Sequence, residues 1–216
     1  MFGMRIKSEI KDYIESEILP QYKKLSGHTD EHIAQVIRRS LKIAEDLDDV
    51  DINMVYVVAA YHDLGRLVDD DTHQIESGKM MRADKKLREF FLEEQIETMA
   101  QAVEDHRASL RGEPRNVYGK IVSSADRDTD VEEMIIRSYD YTKLRNPEIT
   151  DEEAMEDSRK HLREKYTPEG YGAKKVYFPT EETIKCFETI ERLTRDSVEY
   201  AKLVKELDGK RKPGSY

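Results

Sequence analysis

The feature that most constrains the fold is a nearly continuous apolar run at positions 52–64, INMVYVVAAYHDL, which carries His62 and Asp63 near its end. A run of this length predicts a buried, central helix. We expect the helix to stop at Gly65, because glycine readily adopts the left-handed conformation at a helix C-terminus. Ionisable side chains are seldom buried without a partner, so the core must contain groups that satisfy His62 and Asp63.

Apolar residues recur at helical spacing along the rest of the chain, and alternation with a period of two is not sustained anywhere. This pattern predicts an all-α fold with no sheet. Thr150 followed by Glu153 forms a capping box for one of the helices. The predicted helices cover about 6–18 (ended or bent by Pro20), 33–47, 52–64, 73–91 (with Gly78 as a weak point), 94–110, 117–127, 130–145, 150–164 and 181–207.

The length of 216 residues suits one compact helical domain with a substantial core, which we expect to span 1–216. A loop at 166–179 contains glycine and proline and is long enough to cover a site. The final segment, 208–216, is expected to be a flexible tail. The sequence contains no repeat and no linker between domains.

The net charge of -10 argues against nucleic acid or an anionic membrane as the main partner, although a small anion can still bind locally. The single cysteine, Cys186, excludes an internal disulfide and has no motif neighbour that would make it a nucleophile. No secretory signal pattern and no apolar stretch of about 20 residues is present. We therefore expect a cytoplasmic protein.

Several ionisable residues lie on the apolar faces of four predicted helices: His32, His62 with Asp63, His106 and Asp126. Each alone is better explained as a core histidine with a hydrogen bond, or as a carboxylate in a cap or ion pair. A buried carboxylate costs several kcal/mol unless it is paired or bound to a metal, and several carboxylates together would repel one another without a cation. A divalent ion solves this, and imidazole with carboxylate ligands suits Mn, Fe, Zn or Ni.

Three stretches, DEHIAQV, AAYHDLGR and KIVSSADRD, resemble the signature motifs of the HD-domain superfamily, an all-helical fold of metal-dependent phosphohydrolases. The resemblance covers about 28–130 and is specific for the superfamily but not for a substrate. It implies that the helices at 130–207 complete the pocket and that His28, in GHTDEH, lies on the substrate side. The metal ligands that it implies are His32, His62, Asp63 and Asp126.

Two further stretches, DTHQIESGKMM and AVEDHRAS, resemble the family segments that follow the HD motif. In family members with two metals, histidines at these places bind the second ion, and the aspartate of the HD motif bridges the two. The resemblance thus implies a second site formed by His73 and His106, with Asp63 as the bridge. Helix capping or ordinary polar lining is the alternative for both histidines.

The resemblance implies hydrolysis of a phosphoester or phosphoanhydride bond in a nucleotide or a similar small metabolite by metal-activated water. One or two ions of Mn, Fe, Co, Ni or Zn would lower the pKa of a bound water to about 7. The catalytic candidates beside Asp63 are Arg66 and Arg107, which would hold phosphate oxygens, and Glu76 as proton acceptor. Lys174 and Lys175 reach the substrate if their loop folds over the site, and solvated surface charge is the alternative for all five.

Two other functions fit the same residues. Some HD proteins with a paired-iron centre are oxygenases, and the six-ligand set would permit that chemistry. A regulatory domain that binds a nucleotide without turning it over is the non-enzymatic alternative. The substrate, the native metal and the oligomeric state, including a homodimer, are left open by the sequence.

Overall fold

The computed structural model describes residues 5–25, 30–127, 129–167 and 170–211. Within these ranges the regular structure is entirely helical, which confirms the predicted all-α fold. Short turns of 3-10 or π helix connect the longer elements at Ile14–Ile18, Leu19–Lys24, Leu64–Leu67, Lys86–Glu89 and Ala173–Lys175. The α-helices are Ser8–Tyr13 (α1), Asp30–Ala44 (α2), Ile52–Tyr61 (α3), His73–Ala83 (α4), Glu93–Glu104 (α5), Val117–Ala125 (α6), Val131–Arg145 (α7), Asp151–Tyr166 (α8), Glu181–Leu193 (α9) and Ser197–Gly209 (α10).

The chain divides into two compact units, Met1–Asp126 and Arg127–Tyr216. The expectation of a single domain over 1–216, with the later helices completing a pocket, stays a prediction. Part of the expected tail, 212–216, lies outside the described residues, and α10 continues through Gly209. Every helix in the described part of the chain is too short or too polar to cross a membrane.

Helix α3 is the centre of the first unit, as the apolar run predicts. Its residues are almost all buried, and it contacts α2, α5 and α6. The side chain of Asp51 caps its start by accepting a hydrogen bond from the backbone N–H of Asn53 (2.8 Å). A helix that is apolar on all sides has to be surrounded, and this burial fixes where its last residues lie.

The predicted end of this helix at Gly65 is wrong. Helix α3 ends at Tyr61, and the backbone of Asp63 leaves the helical region with φ -108° and ψ 4°. Gly65 has no positive φ. Glycine is required there because a Cβ atom would lie 2.1 Å from the carbonyl oxygen of His73 and 2.5 Å from the amide nitrogen of Ser77. The first turns of α4 therefore pack directly on the turn after α3.

The predicted helix at 73–91 ends early, at Ala83. The backbone of Asp84 is extended, and its carboxylate accepts hydrogen bonds from the hydroxyls of Tyr13 (2.5 Å) and Tyr61. These bonds hold Asp84 outside the helix. The helix continues through Gly78, where a Cβ would lie 2.7 Å from the carboxylate of Glu104, so this glycine marks a close approach of α4 and α5.

The second unit has an apolar core between α7, α8, α9 and α10. The capping box of Thr150 and Glu153 is present at the start of α8, as predicted. The helix predicted at 181–207 is two helices, because the side chain of Asp196 accepts hydrogen bonds from two backbone N–H groups and starts α10. The buried core residues are Met134, Ile135, Tyr139, Ala154, Met155, Leu162, Cys186, Phe187, Ile190, Tyr200, Val204 and Leu207.

Candidate metal centre

Six side chains of the first unit, four imidazoles and two carboxylates, approach one another where five helices begin or end. The sequence predicts that five of them lie on helices and face the interior, and that the sixth, His73, begins a helix. In the structure most of them lie at helix termini. The chain turns there, so the direction of a side chain is not set by the face of a helix. His32 lies in the first turn of α2, His62 and Asp63 follow α3, His73 begins α4, His106 follows α5 and Asp126 ends α6.

Three of the imidazoles are oriented in the same way. In each ring the Nδ1 atom lies within hydrogen-bond distance of the backbone carbonyl oxygen three residues earlier. A carbonyl oxygen can only accept, so Nδ1 carries the proton and Nε2 of the neutral ring keeps its lone pair. The pairs are His62 with Ala59 (2.8 Å), His73 with Asp70 (2.7 Å) and His106 with Val103 (2.6 Å).

Asp63 lies between these Nε2 atoms. Its Oδ1 atom is 3.1 Å from Nε2 of His73 and 3.5 Å from Nε2 of His106. Its Oδ2 atom is 3.7 Å from Nε2 of His62 and 3.0 Å from Nε of Arg66. The two oxygens of one carboxylate thus face two different sets of donors.

The possible metal-binding atoms form two groups. The inner group is Asp63, His73 and His106, and the outer group is His32, His62, Asp63 and Asp126. In the inner group, and in His32, His62 and Asp63 of the outer group, the donor atoms all lie within 4.8 Å of one another. Asp126 joins the outer group because its Oδ1 is 3.3 Å from Nε2 of His32 and 3.7 Å from Nε2 of His62. Asp63 belongs to both groups.

The charges in this cluster depend on each other. Burial by itself lowers the pKa of His62, but the carboxylates of Asp63 and Asp126 outweigh burial and raise it to about 9. Burial also opposes ionisation of Asp63, yet the charge of His62 and hydrogen bonds from His106 and His73 hold the pKa of its carboxyl well below the usual range. The carboxylates therefore stay ionised, and a positive charge has to stand next to them.

The donor set fits one or two divalent transition metals. Nε2 of His62 is buried without a hydrogen-bond partner in the part of the chain that the structure describes. Buried polar atoms of this kind are uncommon unless a ligand satisfies them. Mixed imidazole and carboxylate donors suit Mn, Fe, Co, Ni or Zn, whereas Mg and Ca prefer oxygen alone.

The two arginines predicted to hold phosphate have different partners. Besides its contact with Asp63, the guanidinium of Arg66 pairs with the exposed carboxylate of Asp70. Arg107 donates from Nη1 to the backbone carbonyl oxygen of Asp71 (2.7 Å). Both cations therefore contact the short segment between the turn after α3 and the start of α4.

The other predicted site residues are Glu76, Lys174, Lys175 and His28. Glu76, on α4, pairs with Lys79 at 2.7 Å. Lys174 and Lys175 lie in the turn Ala173–Lys175 of the second unit. His28 lies outside the described residues. The roles of all these predicted site residues stay predictions.

Sequence reasoning missed the residues that hold the donors in place. The hydroxyl of Ser77 hydrogen-bonds to the backbone of the turn that carries Asp63. Asp105, buried just before His106, accepts hydrogen bonds from the backbone N–H and the guanidinium of Arg115 (both 2.8 Å). The available signal was a small or acidic polar residue close in sequence to a predicted ligand, and such residues are too common to single out.

The model of the HD domain family matches residues 29–130, a span that contains all six donors of the inner and outer groups. No curated protein and no solved structure shows significant similarity to the chain. HD domains bind divalent metals, and proteins that contain them are mostly metal-dependent phosphohydrolases. The match and the arrangement of the six donors lead to the same conclusion: residues 29–130 of this chain belong to the HD-domain superfamily.

Proposed function

We propose that the chain is a metal-dependent phosphohydrolase that cleaves a phosphoester or phosphoanhydride bond in a nucleotide or a similar small phosphorylated metabolite. The observation that carries the proposal is the position of Asp63, whose Oδ1 faces His73 and His106 while its Oδ2 faces His62. Two adjacent donor groups joined by one carboxylate are typical of paired-metal sites that transfer phosphoryl groups.

Divalent ions bound to the inner and outer groups would polarise phosphate oxygens and lower the pKa of water to about 7. The orientation of the imidazoles and the ionisation of the carboxylates both support this role. The carbonyl contacts at Nδ1 orient Nε2 of His73 and His106 towards Asp63, so that their lone pairs would be available to an ion bound beside that carboxylate. The depressed pKa values of Asp63 and Asp126 keep both carboxylates ionised at neutral pH.

The two groups differ in access to solvent, and this difference supports one side of the centre as the position of the substrate. The side chains of His73 and His106 are 4% and 2% exposed, whereas those of His32 and Asp126 are 35% and 19% exposed. A phosphate can therefore approach the outer group without displacing core residues. We assign the phosphate of the substrate to the outer side.

Arg66 is the cation best placed to receive that phosphate. Its guanidinium already lies 3.0 Å from Oδ2 of Asp63, and its other contact is with Asp70, whose side chain is 77% exposed. An exposed carboxylate is weakly held and can be exchanged for a phosphate oxygen. In a chain with a net charge of -10, this local positive charge offsets repulsion of an anionic substrate.

The test is release of phosphate from a panel of nucleotides and other phosphorylated metabolites, with Mn, Co, Ni or Fe supplied. We expect turnover by the wild-type protein. We also expect Asp63→Ala to lose more than the roughly 10–100-fold that removal of a group behind a metal ligand costs. Asp12→Ala, which removes an exposed carboxylate on α1, is the control and should retain full activity. Equal activity of Asp63→Ala and the wild type would refute the assignment.

Iron content, oxygen uptake and nucleotide binding, measured on the same protein, separate the two other functions from hydrolysis. Four imidazoles and two carboxylates also suit paired iron, and stoichiometric iron with oxygen uptake but no phosphate release would identify an oxygenase. Tight nucleotide binding without turnover on any metal would identify a regulatory domain. Arg66, which contacts Asp63, favours the hydrolase, because an oxygenase has no need of a phosphate-binding cation.

A further inference from the structure

We infer that Ser77 is a positioning residue of the metal centre: its hydroxyl holds the turn that carries Asp63, so that this carboxylate faces both donor groups. The inference rests on the proposed metal centre but not on the reaction that the centre performs. Ser77 is fully buried on α4, where it neither contacts a donor atom nor belongs to either group.

The hydroxyl of Ser77 makes two hydrogen bonds. It donates to the carbonyl oxygen of His62 (3.0 Å) and accepts from the backbone N–H of Gly65 (2.7 Å). These peptide groups belong to the residue before Asp63 and to the residue two positions after it. The single hydroxyl therefore bridges the two ends of the turn on which the shared carboxylate stands.

Only a small hydroxyl side chain satisfies both ends of the turn. A hydroxyl has one proton to donate and lone pairs to accept, so Ser77 can serve a carbonyl oxygen and an N–H group at once. Alanine can do neither, and it would leave two buried backbone groups without these bonds. Since Asp63 stands at φ -108° and ψ 4°, outside the regular helix, its orientation depends on such local contacts.

The hydrogen bonds of Ser77 also join the turn that carries Asp63 to α4. Ser77 lies one helical turn after His73, on the same face of the helix. The absence of a Cβ at Gly65 lets this face lie against the turn, where a Cβ would be 2.1 Å from the carbonyl oxygen of His73. The bridge thereby also sets the separation of 3.1 Å between Asp63 and His73.

The experiment compares Ser77→Ala with Ser40→Ala. Ser40 is a matched control because it is fully buried on α2 and its hydroxyl has no hydrogen-bond partner among the described residues. Metal-free proteins are titrated with Co²⁺, and the visible absorption of the bound ion is recorded. We expect Ser77→Ala to bind Co²⁺ about tenfold more weakly, at the lower end of the effect of groups behind metal ligands, and with shifted bands. Ser40→Ala should match the wild type.

A second measurement covers the case in which Ser77→Ala does not fold. Amide hydrogen exchange in the wild-type protein should show Gly65 as strongly protected as the amides of α3, because Ser77 accepts its N–H. Rapid exchange at Gly65, or an unchanged Co²⁺ affinity and spectrum in Ser77→Ala, would overturn the inference. Failure of the wild type to bind Co²⁺ would overturn both proposals, whereas binding without phosphate release would overturn the proposed function alone.

Discussion

The inner and outer groups share Asp63 but differ in how firmly their other members are held. His73 and His106 are almost completely buried, and each has its Nδ1 fixed by a backbone carbonyl oxygen. The outer group includes His32 and Asp126, whose side chains keep contact with solvent. The inner group is thus preorganised and enclosed, while the outer group is open enough for ligands to enter and leave.

The positions of the two groups depend on different parts of the fold. The inner group depends on backbone turns and on the packing of α4 against the end of α3. The outer group depends on α2, α3 and α6 being brought together by the core of the unit, since these helices contact one another. Changes in the packing of α4 should therefore damage the inner group first.

The largest expected effect comes from Gly65→Ala. The added Cβ would lie 2.1 Å from the carbonyl oxygen of His73 and 2.5 Å from the amide of Ser77, so α4 has to move away from the turn. Overpacking against backbone atoms should destabilise the protein by more than about 3 kcal/mol and remove the ion of the inner group. The measurement is urea unfolding with metal analysis of the purified variant.

Gly209→Ala is the control for this prediction, because no atom of the described residues outside the local helix backbone lies within 4 Å of a Cβ at that position of α10. It should unfold at the same urea concentration as the wild type or at a slightly higher one. If Gly65→Ala were equally stable and still bound two ions, the close packing of α4 on the turn would not be needed for the inner group.

The next largest effect separates the two groups directly. His106→Ala removes a donor of the inner group alone, and His32→Ala removes a donor of the outer group alone. Each variant should lose one ion, with its affinity falling by more than about 100-fold, and should keep the other. Titration with Mn²⁺, followed by electron paramagnetic resonance, counts the sites that remain. Loss of both ions in His106→Ala together with loss of both in His32→Ala would show that the groups form one indivisible site.

The sequence predicted the all-helical fold and the central helix because both follow from strong apolar periodicity. It did not predict where several helices end. The helix predicted at 94–110 ends at Glu104 because the buried carboxylate of Asp105 is held by Arg115, which lies 10 residues later and beyond the end of the predicted helix. The sequence predicts a left-handed cap at Gly65. In the structure, the missing side chain of this glycine lets α4 pack closely, and a tertiary contact of this kind is not encoded in a local pattern.

The candidate ligands follow a similar division. The pattern and the family resemblance predicted six residues that do converge in the structure. They did not predict that Nδ1 of His62 and His106 would be fixed by the preceding helix ends, or that Ser77 would support Asp63. Such contacts depend on the angle at which the chain leaves a helix, and composition and spacing do not encode this angle.

A smaller effect should follow from Arg115→Met. Arg115 donates from its backbone and its guanidinium to Asp105, the residue before His106, and it also contacts Glu104 at 2.7 Å. The substitution keeps the backbone bond but removes the guanidinium bonds, which leaves the chain after α5 less constrained, so the affinity of the inner ion should fall about tenfold, as for other groups behind metal ligands. The outer ion should be unaffected in the same Mn²⁺ titration.

Arg88→Met is the matched control for Arg115→Met, because it removes an exposed guanidinium that pairs with Glu93 and donates to the backbone carbonyl oxygens of Asp84 and Arg82, none of which adjoins His106 in sequence. An exposed pair of this kind contributes little, so both ions should bind as in the wild type. Equal weakening of the inner ion by the two variants would mean that loss of any arginine nearby, rather than release of the chain before His106, causes the effect.

The smallest expected effect tests whether Arg66 serves the open side of the centre. Asp70→Asn weakens the contact of its side chain with Arg66 but keeps the backbone carbonyl that orients His73. The guanidinium then becomes more available to phosphate, and KM for the phosphorylated substrate should fall by about twofold, because an exposed ion pair is weak. Both ions should bind unchanged. Asp71→Asn is the control, since it removes a neighbouring exposed carboxylate for which no contact with Arg66 is seen. An equal fall in KM in the two variants would indicate a general charge effect. Arg66 would then have no specific part in substrate binding.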